Sequence, residues 1–369
     1  MKRITQLDGV RGVAILLVLV WHYFGMQLNT DSRSIPGILQ SALGLTWSGV
    51  DLFFVLSGFL IAGILLDHRD ASNFFRIFYL RRICRIFPLY FLMCGLFFCL
   101  GQSSLFASPS FRWLLHDPLP LWSYLTFTQN LLMGARGDFG PHWLSITWSL
   151  AVEEQFYLFV PFLVYFSSRR TLVCVLVLAI VAAPLLRWAS PGFHSYVLTP
   201  WRSDSLLSGA LLAVLVRWHP FISTVRDHPD ILMGVFIVLL VGAGIITLHS
   251  PSIFGVFKHF WLAGLYSTFV LIAFVGQGPF LGRILGSSVL VWFGRLSYGI
   301  YMFHQAVSGL LHGFLRDSAP QIRSVPEGGI TLLALLMTLG LAEVSYRFFE
   351  SPLLRFGHRF QYRPKNGPC

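Results

Sequence analysis

Apolar residues gather along this chain in runs of roughly twenty positions, each long enough for a helix to cross a bilayer core, with short polar breaks between them. Such runs cover about 10–28, 46–66, 84–101, 143–166, 171–188, 204–218, 231–248, 259–276, 289–312 and 328–349. The pattern predicts an all-α, polytopic integral membrane protein with about ten transmembrane helices. Trp122–Met133 is also apolar, but too short for a further span, and reads as interfacial or re-entrant. No polar break is long enough for a soluble module. Residues 1–355 are therefore expected to form one membrane domain, and 356–369 a short basic cytoplasmic tail. No internal repeat is visible, which counts against a transporter built from repeated halves.

Composition agrees with the pattern. Of the 369 residues 55% are hydrophobic and only 12% charged, against about a quarter charged in soluble domains. So few charges could not wet the surface of a soluble fold this large. The net charge of +11 would suit nucleic acid, but no soluble face exists to present it, so nucleic acid is excluded as a partner. The positive-inside bias explains the charge better. With the N-terminus cytoplasmic, sixteen Lys and Arg fall on inner segments and eight, among them Arg33, on outer ones. Both termini are then cytoplasmic, and the expected location is the bacterial inner membrane. Lys2 and Arg3 before an apolar run superficially suggest a secretion signal. Arg11 and His22 inside that run, and the lack of a small-residue cleavage site, predict a retained first helix instead. Cys84, Cys94, Cys99, Cys174 and Cys369 form no CxxC pair, so neither a disulfide framework nor a zinc site is expected.

Charge at bilayer depth costs at least a few kcal/mol and normally faces a cavity or a partner, which makes the polar residues inside the runs informative. Eleven helical steps separate Arg11 and His22, placing them within roughly 20° of one face and some 16 Å apart along the axis. Asp8 is spaced to pair with Arg11. His22 reads either as a packing histidine or as a general base, because imidazole titrates where proton transfer is useful. Asp51 stands near the outer end of the second run, and the adjacent Ser57 and Gly58 suit close helix packing. Arg81, Arg82 and Arg85 form a basic cluster at the cytoplasmic end of the third run, suited to topology and anionic lipid or to a joint grip on a phosphate. Glu153 and Glu154 point about 100° apart, so they are not by themselves a paired acid and base. Arg202 and Asp204 open the sixth run. Tyr301 and His304 share a helix face, and Glu343, Arg347 and Glu350 are spaced for an ion-pair ladder.

In order along the chain, these segments resemble the acyltransferase 3 family of integral membrane acyltransferases. The resemblance runs through Leu7–Ile15, the Arg11–His22 spacing, Asp51–Ile61, Arg81-Arg82-x-x-Arg85-Ile-x-Pro88, Trp148–Tyr157, Arg202-x-Asp204, Ser297–His304 and Glu350-Ser-Pro. It covers nearly the whole chain. Each motif is weak alone, and the ordered set is specific. Family members often carry an extra extracytoplasmic hydrolase-like domain, which is not expected here. The resemblance implies cytoplasmic acyl-coenzyme A as donor, usually acetyl-coenzyme A, and a hydroxyl of a glycan or glycoside as acceptor. It makes Arg11 and His22 the matching essential residues, Arg81, Arg82 and Arg85 the contacts to coenzyme A phosphates, and Glu153 and Glu154 the acidic pair.

Taken together, both lines of reasoning predict coenzyme A docked on Arg81, Arg82 and Arg85. His22 then either deprotonates the acceptor or takes the acyl group transiently. Glu153 or Glu154 supports the imidazole, Arg11 positions the donor or pairs with a carboxylate, and Asp51, Arg202, Asp204, Tyr301 and His304 bind substrate. No metal is needed. The rival readings are a transporter or flippase for a polar or lipid-linked sugar, and an assembly protein whose charges are structural.

Overall fold

A computed structural model describes residues 4–28, 40, 43–106, 108–249, 252–276 and 279–365. Lys2, Arg3, Arg33, Cys369 and the last residues of the tail lie outside the described residues. Among the described residues, ten long helices fall on the ten apolar runs. They are α1 (Thr5–Val20), α2 (Gly49–Asp67), α3 (Phe74–Gly101), α4 (Thr147–Phe166), α5 (Arg169–Ala189), α6 (Thr199–Leu215), α7 (Pro229–His249), α8 (Ser252–Val275), α9 (Ser288–Arg316) and α10 (Val325–Ser345). A shorter α11 (Ser351–Arg359) follows. Among the described residues there is no β-strand, only isolated bridges between Leu28 and Ile322 and between Ala71 and Pro364. Because no lipid-exposed backbone group can be left unbonded in a bilayer, an all-helical chain is the expected outcome.

Among the described residues, seven helices are long and apolar enough to cross a membrane, or eight if α6 is counted with the short helix His219–Asp227, bent from it by 94°. The two remaining long helices, α4 and α9, are of spanning length but fall below that level of apolarity. These are the helices that carry Glu153, Glu154, Tyr301 and His304. Polar groups set along them lower their hydropathy. The segment Trp122–Met133 is not a single span: it divides between short helices Leu121–Leu125 and Gln129–Arg136.

The chain forms two compact units. One comprises residues 1–18, 44–69 and 152–295, and the other 19–43, 70–151 and 296–369. In the first unit α2 and α6 cross closely. A Cβ on Gly58 would run into the Leu206 carbonyl, and one on Gly209 into the Val55 carbonyl, so each glycine lets the other helix's backbone approach. Gly12 and Gly294 do the same where α1 meets the start of α9, and Gly9 where α1 meets the short helix Pro279–Leu285. Outward-facing residues such as Leu178, Phe159 and Val238 remain more than half exposed, the apolar surface that lipid would cover.

In the second unit α3 begins ten residues before the predicted run, at Phe74, so the whole basic motif lies inside the helix rather than ahead of it. Charged residues shorten an apolar run without ending a helix. The expected boundary at residue 355 falls within α11, whose Gly357 sits against Cys84 and Arg81 of α3. Two π turns interrupt otherwise regular helices, Trp21–Gly25 after α1 and Tyr346–Glu350 after α10.

Candidate functional site

His22 lies in the first π turn, where the 100° step of an α-helix no longer applies. What fixes the turn is its neighbour Tyr23, fully buried, whose hydroxyl donates to the His304 carbonyl at 3.0 Å and pairs with Thr338 Oγ1 at 2.8 Å. Gln27 Nε2 donates to the His22 carbonyl at 3.0 Å, and Gln27 Oε1 accepts from Thr331 at 2.7 Å. His22 itself is half-buried.

His22 packs edge-on against His304, ring centroids 4.8 Å apart. His304 is wholly buried, and its Nδ1 lies 2.6 Å from the Tyr301 carbonyl. A carbonyl can only accept, so Nδ1 carries the proton and Nε2 is the basic nitrogen. That Nε2 is buried and has no hydrogen-bond partner among the described residues. Tyr301 donates to the Ile146 carbonyl at 3.0 Å and meets Ser149 Oγ at 2.6 Å, which pins the helix face bearing both residues. The predicted pair Tyr301 and His304 thus forms one cluster with His22.

Beside this cluster, residues 109–141 line a cleft of about 540 Å³ whose walls include Arg112, Trp113, His116 and Asp117. Arg136 also lines it, bonded to Asp138 at 2.9 Å and ion-paired with Asp117. His142, ring-to-ring with Trp113, has its pKa lowered to about 4 by burial, a hydrogen bond with Gln305 opposing the shift.

Arg81, Arg82 and Arg85 stand half-buried on α3. Arg81 donates through Nε and Nη2 to the Phe360 carbonyl, at 3.2 and 2.7 Å, and its guanidinium lies over the Tyr362 ring at 5.2 Å. Glu350 is within electrostatic reach of Arg85 and accepts from Ser345 at 3.0 Å. Glu343 pairs with Arg347, so only that half of the predicted ladder forms; the π turn carries Glu350 to Ser345 instead.

In the other unit, Arg11 bonds Asp8 at 3.3 Å as its spacing predicts. Glu153 accepts from the Tyr157 hydroxyl at 3.1 Å, and Tyr157 meets Ser57 at 2.5 Å, a chain between α4 and α2. Glu154 is half-buried on the next helix face. Asp51, Arg202 and Asp204 are completely buried. Asp51 Oδ1 accepts from Arg202 at 2.9 Å and from Ser205 at 3.0 Å, with His259 Nδ1 at 3.2 Å. Arg202 also touches His259, and its guanidinium lies over the Tyr196 ring at 5.3 Å. Arg187 donates to Asp204 at 2.5 Å and to the Val256 carbonyl at 2.9 Å.

The sequence reading did not single out Tyr23, Gln27, Ser149, His142, Arg187 and His259. An ionisable residue within or at the end of an apolar run was the available signal for Arg187 and His259. The hydroxyl and amide residues gave none, because the partners that tie them to other helices lie more than a hundred positions away. Among the described residues no cluster of His, Cys, Asp and Glu could hold a metal ion.

Polar groups buried on long apolar helices, with a contacting histidine pair in one unit, define a membrane-embedded protein built for chemistry rather than packing alone. Residues 4–347 match the acyltransferase domain of the acyltransferase 3 family, and the chain belongs to that family. Its relatives include a Staphylococcus aureus protein provisionally named an O-acetyltransferase, 28% identical over all of this chain and 60% of that protein. Another is the peptidoglycan O-acetyltransferase OatA of Listeria monocytogenes, 27% identical over 96% of this chain and 56% of OatA. YrhL of Bacillus subtilis, provisionally named a peptidoglycan O-acetyltransferase, is 30% identical over 97% of this chain and 56% of its own length. The chain therefore spans less than two thirds of these relatives. No solved structure matches it at a significant level.

Proposed function

We propose that this protein transfers an acyl group, acetyl by analogy with its relatives, from acyl-coenzyme A to a hydroxyl of a carbohydrate-like acceptor. The observation that carries the reading is the His22–His304 contact. One imidazole, wholly buried and with its tautomer fixed by the Tyr301 carbonyl, lies against a second one that is partly accessible, in a chain of an acyltransferase family. Three half-buried arginines on α3 suit the phosphates of the donor. The helices α1 to α10 are taken as ten spans with both termini cytoplasmic, supported by the two-to-one placement of Lys and Arg. The proposed location is the bacterial cytoplasmic (inner) membrane, supported by the bacterial origin of the relatives.

In the proposed reaction the acyl carbon leaves the donor sulfur and bonds to the acceptor oxygen. One proton passes from the acceptor hydroxyl through the imidazole of His22 to the leaving thiolate, so charge balances. His304 packs against the His22 ring and is assigned to position it. General base catalysis of this kind contributes about 10²–10⁴-fold. Glu153 or Glu154 is assigned the balance of imidazolium charge, and Arg11, held by Asp8, the orientation of the donor. The trapped network of Asp51, Arg202 and Asp204 is assigned to the acceptor end through the frame it holds, since none of the three is accessible. The cleft at 109–141 offers an indole face beside paired charges, chemistry suited to a sugar ring and its hydroxyls.

The test is thiol release from acetyl-coenzyme A by purified protein in nanodiscs, with and without glycan acceptors. Acceptor-dependent release by the wild type, lost in His22→Ala at equal folded yield, is expected. Undiminished release by His22→Ala would remove His22 from the chemistry. A wild type that neither binds coenzyme A nor releases thiol would return the protein to the transporter reading.

A further inference from the structure

The segment Ser351–Lys365 lies beyond residues 4–347, which match the acyltransferase domain, yet it is docked on the basic motif at several independent points. Gly357 packs against Cys84 and the Arg81 backbone, where a Cβ would already meet Cys84 Cβ at 3.1 Å. Ser72 N donates to the Arg363 carbonyl at 2.9 Å. Asn73 donates to the Gln361 carbonyl and accepts from Arg363 N, each at 3.0 Å. Phe360 accepts both bonds from the Nε and Nη2 edge of Arg81, and the Tyr362 ring lies under the same guanidinium. His358 is exposed and within electrostatic reach of Arg81, Arg82 and Arg85 together. Arg355 and Arg359, on the same helical face as His358, are exposed as well.

The segment adds basic residues around three arginines, with Glu350 near Arg85 offsetting part of the charge, and a bound anion would lower the remaining like-charge repulsion. The bonds to Phe360 engage one edge of Arg81 and leave Nη1 to a ligand, which is how a protein presents a fixed fork to a phosphate.

We infer that Ser351–Lys365 completes a phosphate-binding face with α3, Tyr362 and the Phe360 carbonyl positioning Arg81 and His358 adding a donor that becomes cationic beside bound phosphate, for the nucleotide phosphates of the acyl donor. The inference rests on the donor reading above. The same chemistry would take an anionic lipid headgroup, so the test separates the two sources.

Coenzyme A binding is measured by calorimetry on full-length protein in phosphatidylcholine nanodiscs, for wild type, His358→Gln, Tyr362→Leu and the conservative His358→Lys and Tyr362→Phe. The dissociation constant is expected to weaken about three- to tenfold in His358→Gln and Tyr362→Leu, as for loss of one cation or cation–π contact, and to recover in the conservative variants. Turnover of S-acetyl-N-acetylcysteamine, a thioester without phosphates, is expected to be the same in all five. Equal coenzyme A binding throughout would overturn the inference while leaving the donor reading intact. So would a defect that extends to the phosphate-free thioester, since the segment would then act on the fold. If coenzyme A binding is unchanged and the variants lose affinity only for phosphatidylglycerol vesicles, the face belongs to lipid and the inference fails. A wild type that binds no coenzyme A would overturn both.

Discussion

Replacing Asp51 by Leu removes the carboxylate that neutralises a guanidinium with no exposed surface. Asp51 accepts from Arg202 and Ser205 within 3.0 Å, and both ionic partners are 0% exposed. Breaking such a pair by deleting one member leaves an uncompensated buried charge and costs about 3–5 kcal/mol. At about 2–4 °C per kcal/mol for a large chain, the apparent melting midpoint falls by about 6–20 °C. Arg202→Leu is expected to lose a similar amount, moderated by His259, which stays beside Asp51. The double variant Asp51→Leu/Arg202→Leu carries no orphaned charge, so it should melt above both single variants. Fluorescence-detected size-exclusion melting in detergent gives all four midpoints. Single variants within about 2 °C of wild type, or a double variant losing the sum of the two, would refute the claim that the pair is a mutually dependent buried unit.

Other consequences follow from the same geometry. Tyr23→Phe deletes the hydroxyl that ties the π turn to the His304 carbonyl and Thr338; stability should fall by about 1–3 kcal/mol, and acyl transfer should lose turnover more than donor affinity. Gly209→Leu forces a side chain into the Val55 carbonyl, and folded yield should collapse, whereas Gly234→Leu, which meets nothing, should express normally. His142 has a folded pKa of about 4, below its ordinary value. Between about pH 6.5 and pH 4 the unfolded chain therefore binds a proton that the folded one does not, and stability falls as pH falls. Midpoints recorded across that range should drop less in His142→Gln than in wild type.

Long apolar runs announced the helices, because hydrophobic length is a local property. The Asp8–Arg11 bond and the packing role of Gly58 were legible for the same reason: each depends on spacing or on a single small residue. What escaped depends on distant partners or on local departures from α geometry. His259 reads as one histidine on an apolar helix until Asp51, some two hundred residues away, is beside it. The π turn at Trp21–Gly25 has no periodic signature, so nothing in the sequence marked it. Arg76, Arg81, Arg82 and Arg85 hid the true start of α3 at Phe74 by interrupting hydrophobicity within a continuous helix. The docking of Ser351–Lys365 was invisible because most of its bonds go to backbone carbonyls, which sequence does not mark.

The central claim is acyl transfer through His22. It is tested most directly by following radiolabelled acetyl from acetyl-coenzyme A to a glycan acceptor, with purified wild type and His22→Ala compared at equal folded protein. Label on the acceptor with wild type, and none above background with His22→Ala, is the predicted result. Equal labelling by both proteins, or labelling by neither while an identical preparation transports the acceptor across a sealed vesicle, would contradict it.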